Sequence, residues 1–200
     1  MRTSKAGDVL EIIRETGILR PRDLDAHGIQ REYLIRLYKQ GLIKRSGRGL
    51  YTLNEANISE HHNLAEVSKK TANGVICLLS ALHFHELTTQ IPFEVWIAVD
   101  NKSRKPKLDS VALRVVRFSE KSLHAGVEEH IIEGVRVRVY NPAKTAVDCF
   151  KFRNKIGLDV ALEALRDCWD NKKCTMDQLW EYAVICRVSN VMRPYLESLG

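Results

Sequence analysis

The sequence predicts an α+β protein, an N-terminal winged helix-turn-helix followed by a mixed α/β domain in which helices cover a small sheet. Three observations carry that prediction. Apolar residues in the first forty positions recur at helical spacing and are interrupted at Gly17, Gly28 and Gly41. Two alternating stretches, LIKRS and GLYTL, then flank a Gly-Arg-Gly turn, which is the pattern of a hairpin. Beyond residue 74, strand-like runs with period two give way to long helical patterns.

The first helix is expected over KAGDVLEIIRET, where Val9, Leu10, Ile12 and Ile13 fall near one face. Ser4 is its N-cap and Gly17 its stop. A short second helix is opened by Pro21 at its first turn and closed by Gly28. The third runs from about Gln30 to Gln40, with Leu34, Leu37 and Tyr38 on one face and Tyr33 at its edge. Tyr33 and Tyr38 are read as core residues. The opposite stripe carries Arg31, Glu32, Ile35, Arg36 and Lys39.

That stripe suggests a partner. A helix fits the major groove, and polar side chains on its outer face reach base edges and phosphates, while a basic hairpin lies along neighbouring phosphates. Residues 1–53 hold eleven Lys and Arg against six Asp and Glu, so this quarter of the chain carries five of its net six positive charges. Arg31, Arg36 and Lys39 are the groove-facing candidates, with Gln30 placed to read a base edge. Lys44, Arg45 and Arg48 are the wing candidates, and Ser46 could bond a phosphate. Arg20 and Arg22 open the second helix, where free N–H groups favour phosphate. Ile35 stands out as apolar on this face. It either meets a thymine methyl or shows that the helix phase is one residue off.

The expected organisation is a DNA-binding domain over residues 1–53, a structured linker over 54–73 with one helix from His62 to Lys70, and a second domain over 74–200. In the second domain GVICLLSALHFHELT reads as a buried helix, and IPFEVWIAVD and VALRVVRF as strands. HIIEGVRVRVYN reads as a hairpin turning at Glu133-Gly134, with valines on one face and Arg136 and Arg138 on the other. Three helical patterns close the chain: one capped by Asn141 with Pro142 at its first position, one over IGLDVALEALRDCWD, and one capped by Thr175. SNVMRPYLESLG adds a further helix at the end. No internal repeat or low-complexity tract is visible.

Composition narrows the class. Hydrophobic residues make up 44% and charged residues 28% of the 200, which implies a packed core rather than disorder. The longest apolar runs, Val75 to Leu79 among them, fall far short of the roughly 20 residues needed to cross a bilayer, and the N-terminus has no apolar signal core. A cytoplasmic protein without a membrane partner is expected. The five cysteines are odd in number, scattered and free of any C-x-x-C pair, so reduced, buried thiols are expected rather than a zinc site or disulfides.

No catalytic constellation is evident: the sequence has no G-x-G-x-x-G or P-loop, no H-E-x-x-H and no G-x-S-x-G. His83 and His85 would lie about 200° apart on a helix, too far round to share a metal, and helix-end capping accounts for them better. Neither a metal nor a cofactor is expected. Lys102, Arg104, Lys105 and Lys107 form a basic loop that, with Arg136 and Arg138, could make a second anionic contact or simply be solvated. Asp100-Asn101-Lys102 faintly suggests the acidic-x-Lys of nucleases and gives the alternative reading, a DNA-targeted metal-dependent nuclease.

The pattern GI-x-R-x-YL-x-RLY-x-x-GLI-x-R-x-GRGLYTL, residues 28–53, resembles the winged-helix domain of AbiEi-type antitoxins of type IV toxin–antitoxin systems. Segments 74–99, 113–119, 132–167 and 187–199 look like the antitoxin domain of the same family, so the resemblance spans nearly the whole chain. It implies a transcriptional regulator that represses its own operon by binding inverted repeats of double-stranded DNA in its promoter. It also implies a nucleotidyltransferase-like toxin as neighbour and a role in phage defence by abortive infection. The DNA-facing residues carried over are Arg31, Arg36, Lys39, Lys44, Arg45 and Arg48. Without a long coiled-coil seam, monomers meeting cooperatively on DNA are expected. A solitary winged-helix regulator, or a module that binds a toxin directly, are the remaining readings.

Overall fold

The computed structural model describes residues 4–55, 59–106 and 108–199. The chain divides into two compact units, one formed by residues 1–72, 107–112 and 130–137, the other by residues 73–106, 113–129 and 138–200. Two segments that follow residue 74 in sequence therefore belong with the N-terminal part, and so does the helix expected in the linker.

The first unit opens with helix α1 (Lys5–Thr16). The Ser4 hydroxyl accepts the Gly7 N–H at 3.2 Å, and Gly17, at φ 65°, ends the helix by donating to the Ile13 carbonyl at 2.8 Å. The second helical segment, Pro21–His27, is a 3₁₀ helix rather than an α-helix, with Gly28 in the left-handed conformation at its end. Helix α2 (Glu32–Lys39) is shorter at its start than the apolar pattern suggests, and it buries Leu34 and Leu37. Strands β1 (Ile43–Gly47) and β2 (Leu50–Leu53) form the expected antiparallel hairpin, pairing Ile43 with Leu53 and Arg45 with Tyr51, with a bulge between Arg45 and Gly47. Tyr51 also bridges to Leu19, which ties the hairpin to the helices. Val9, Ile13, Leu19, Leu24, Leu34, Leu37, Ile43 and Tyr51 share one core. Helix α3 (His62–Lys70) completes the main elements of this unit.

A tight backbone junction also belongs to this unit. A Cβ on Gly17 would lie 1.3 Å from the Glu133 carbonyl oxygen, and one on Gly134 would lie 2.7 Å from the Glu15 carbonyl oxygen. Glycine is required at both positions, since both also have positive φ. The Glu133 carboxylate accepts the Ser59 N–H at 2.7 Å, the Ser59 hydroxyl at 2.8 Å, and pairs with His62 Nδ1 at 2.6 Å.

Among the described residues a five-stranded mixed sheet has the order β5-β4-β3-β7-β6, formed by β3 (Val75–Ile76), β4 (Val95–Asp100), β5 (Leu113–Phe118), β6 (Val127–Ile132) and β7 (Val135–Tyr140). β3 runs antiparallel to β4 and parallel to β7, and β4 runs parallel to β5. The turn at Glu133-Gly134 is as expected, both residues having positive φ, the two-residue arrangement that suits a hairpin's twist. The stretch read as one buried helix instead begins as β3 and becomes α4 (Leu78–Phe84) only after Cys77. Short helices α5 (Glu120–His124) and α7 (Arg153–Ile156) were not anticipated.

Helix α6 (Pro142–Lys151) is central to the second unit. Asn141 caps it by accepting the Lys144 N–H at 2.8 Å, with Pro142 at its first position. Every residue from Ala143 to Phe150 is buried. Helices α8 (Leu158–Asp170), α9 (Met176–Cys186) and α10 (Ser189–Glu197) contribute to the same core, with Thr175 capping α9 as expected. All five cysteines are free and buried.

Candidate nucleic-acid interface

Helix α2 settles its own phase. Leu34 and Leu37 are each 1% exposed, while Ile35 is 54% exposed. Arg31, Glu32, Arg36 and Lys39 are exposed beside it. The apolar residue on this face is therefore a real feature of the surface and no error of register. Gln30, also exposed, lines a shallow recess with Glu32, Tyr33 and Arg36. Arg31 Nη2 lies 2.6 Å from the Asp25 carboxylate, and that hydrogen bond raises the guanidinium's pKa.

Tyr38 departs from its expected core position, being 48% exposed. Its ring meets Tyr51 edge-on at 6.5 Å. The Arg45 guanidinium sits 5.9 Å from the Tyr38 ring and 5.5 Å from the Tyr51 ring, and donates to the Tyr51 hydroxyl through Nε and Nη2 at 3.3 and 3.2 Å. Cation–π attraction and these bonds hold the β1 arginine beside the outer face of α2. Sequence reading placed the arginine but missed the two tyrosines that position it; the Arg45–Tyr51 half of that arrangement was implicit in the hairpin register, where the two residues face each other.

Elsewhere in the hairpin, Lys44 is half-buried and Arg48 has a side chain 87% exposed, 3.7 Å from the Asp109 carboxylate. Lys70 Nζ donates to the Arg48 carbonyl. Gly47 lies against Glu66, whose carboxylate accepts the Ser110 hydroxyl; a Cβ there would come within 2.2 Å of Glu66 Oε1. Ser46 is a correction. Its Oγ is buried with no hydrogen-bond partner among the described residues, so the hydroxyl expected to bond phosphate faces inward.

Arg20 is engaged within the protein. Its guanidinium donates to Asp23 at 2.8 and 3.0 Å and to the Lys69 carbonyl at 2.6 Å, and its side chain is 22% exposed. Burial alone would raise the Asp23 pKa, but the Arg20 bonds and the nearby Lys69 outweigh it and hold the carboxyl below its usual range. This arginine fastens the 3₁₀ segment to the end of α3. Its neighbour Arg22 is exposed.

The second basic patch is distributed as follows. Lys102, Arg104 and Lys105 are exposed, while Lys107 lies outside the described residues. Arg117 shapes the start of this loop by donating from Nη1 to the carbonyls of Asp100, Asn101 and Ser103 at 3.2, 2.6 and 3.0 Å. Arg136 is exposed and Arg138 half-buried on β7. The Asp100 carboxylate accepts the Lys102 N–H at 2.7 Å, closing a turn. Among the described residues no group of three or more His, Cys, Asp and Glu could hold a metal ion. His85 ends α4, with Nε2 2.7 Å from the Tyr140 carbonyl, a capping and packing position as expected. No helix among the described residues is long and apolar enough to cross a membrane.

Comparison with known proteins bears on both units. Along its full length the chain is similar in fold to the RV2827C protein of Mycobacterium tuberculosis, whose crystal structure it matches with a TM-score of 0.59 at 16% identity, covering 100% of this chain and 78% of that one. No curated protein matches the chain. Residues 8–54, which contain α1, the 3₁₀ segment, α2 and the hairpin, match the sequence profile of a family described as "Transcriptional regulator, AbiEi antitoxin". The similarity to that family covers this N-terminal segment.

Proposed function

We propose that the protein is a DNA-binding antitoxin and autorepressor of a type IV toxin–antitoxin operon, acting in the cytoplasm without catalytic activity. The observation that carries this reading is the exposed cationic face of α2, continued by Arg45 and Arg48 on the hairpin, inside the segment that matches the regulator family. Here α2 is the recognition helix and the hairpin is the wing. Arg36 and Lys39 enter the major groove region, Gln30 reads an edge at the helix start, and Lys44, Arg45 and Arg48 meet the adjacent phosphates. Arg22 and the basic loop of Lys102, Arg104 and Lys105 are available for further phosphate contact. Inverted repeats in its own promoter are filled by two monomers that cooperate on DNA. The second unit counters a nucleotidyltransferase-like toxin, and the pair serves phage defence.

The test is binding of the full chain to the DNA upstream of its own gene, measured across salt. Replacing Lys44, Arg45 and Arg48 together by alanine should weaken binding by roughly 10²-fold or more at moderate salt and lower the magnitude of the salt slope by about 2–3. Equal affinity and slope in the triple variant would refute the assignment of the wing.

A further inference from the structure

Ile35 is hard to explain by folding. It is 54% exposed, it sits on the face of α2 opposite Leu34 and Leu37, and isoleucine is a weaker helix former than the lysine, arginine or glutamate found around it. One helical turn before it stands Arg31 and one turn after it Lys39, both exposed, with Glu32 and Arg36 to one side. An aliphatic side chain is thus held between Arg31 and Lys39 on the exposed face of α2, with the exposed Tyr38 one turn along and the exposed Leu42 just beyond the helix end.

Resting on the DNA-binding reading above, we infer that Ile35 is a specificity-determining residue that recognises the C5-methyl group of a pyrimidine in the major groove. The chemistry leaves few alternatives. Guanine and adenine present hydrogen-bonding atoms in that groove, and unmodified cytosine presents an amine donor. Isoleucine can bond none of these and would strip water from them at a cost. Thymine, or a 5-methylated cytosine, adds an apolar methyl beside its polar atom. The cations at Arg31 and Lys39 hold the helix against the phosphates on either side, and Gln30, Glu32 and Arg36 are left for polar edges. Tyr38, one turn along, is engaged with Arg45, which keeps the wing arginine close to the same groove.

Deoxyuridine differs from thymidine in the groove by that methyl alone, which makes the test specific. Duplexes bound by the full chain would be selected from a random pool. The best would be resynthesised with uracil replacing each thymine singly and 5-methylcytosine replacing each cytosine singly. Affinities would then be measured for the wild type and for Ile35→Ala, with thermal melting of both as the folding control. Because Ile35 is exposed, the variant should melt like the wild type. The expected result is one or more thymine positions where loss of the methyl weakens the wild type about three- to tenfold, the scale of one or two buried methyl contacts, and leaves Ile35→Ala unchanged. A cytosine whose methylation strengthens the wild type but not the variant would support the same inference and name modified cytosine as the source. If uracil and 5-methylcytosine substitutions affect both proteins alike, or neither, Ile35 does not read a methyl while the DNA-binding reading stands. If selection enriches no sequence, sequence-specific repression itself falls, and the inference with it.

Discussion

Helices α2 and α6 treat lysine in opposite ways. In α2 two residues are buried and Lys39 is exposed with the other cations of its face. In α6 the burial is continuous, and Lys144 is 0% exposed, held over the Tyr140 ring at 4.1 Å and the Phe118 ring at 4.9 Å and bonded to the equally buried Asp148. Asp148 also accepts the Cys186 thiol at 3.3 Å, and burial pushes its carboxyl pKa up despite the opposing pull of Lys144. A charge on α2 is available to a ligand and contributes little to folding. A charge in α6 is withdrawn from solvent, and its value depends wholly on its partner.

This contrast predicts where damage should be visible. The largest effect belongs to α6: Asp148→Ala or Lys144→Ala should cost about 3–5 kcal/mol in urea denaturation, because each strands a buried charge. The double replacement Lys144→Met, Asp148→Leu should recover much of that loss, and a double variant no better than the singles would mean the pair does more than neutralise itself.

An intermediate effect is expected where the Glu133 carboxylate meets Ser59 and His62. Burial alone would raise its pKa, but the bonds from His62 and Ser59 outweigh that and hold it below the usual glutamate range. A folded pKa below the unfolded one stabilises the protein above the unfolded value, and the contribution is lost as pH falls through the folded value. Glu133→Gln should therefore destabilise by about 1–2 kcal/mol at neutral pH and flatten the acid limb of the stability profile, as read by melting between neutral and acid pH.

The smallest effect belongs to the exposed face. Asp25→Asn releases Arg31 from its ion pair, so the melting temperature should stay in place while affinity for the selected duplex rises about twofold, a gain that shrinks with added salt. A shift in melting with no change in affinity would reverse the comparison.

Much of the fold was legible because it is locally encoded. Ser4 and Gly17 bound α1, Asn141 and Pro142 open α6, Thr175 caps α9, and Glu133-Gly134 makes a turn, all by short-range chemistry. The linker helix His62–Lys70 was legible for the same reason. The candidate site was legible in outline, since charge and period marked α2 and the hairpin. What the sequence left out depends on distant partners. Arg20 is held by Lys69, 49 positions away. Ser46 turns inward where Glu66 and Ser110 pack against the adjacent Gly47. Tyr38 satisfies helical spacing for the core, yet it stands outside with Arg45. Periodicity says which face is apolar without saying how much of that face its neighbours cover.

The tight junction at Gly17 and Gly134 has a consequence for dissection. The N-terminal head is assembled from three stretches of chain, and the last of them ends at residue 137. Cutting after residue 72 would remove Glu133, Asp109 and Ser110 together, unmooring His62, Arg48 and Glu66 in one stroke, and cutting after residue 53 would take away His62 and Glu66 as well. The head is therefore not a cassette that can be excised and grafted elsewhere. A transplant would have to carry its two later stretches with it, or rebuild the ground beneath the wing.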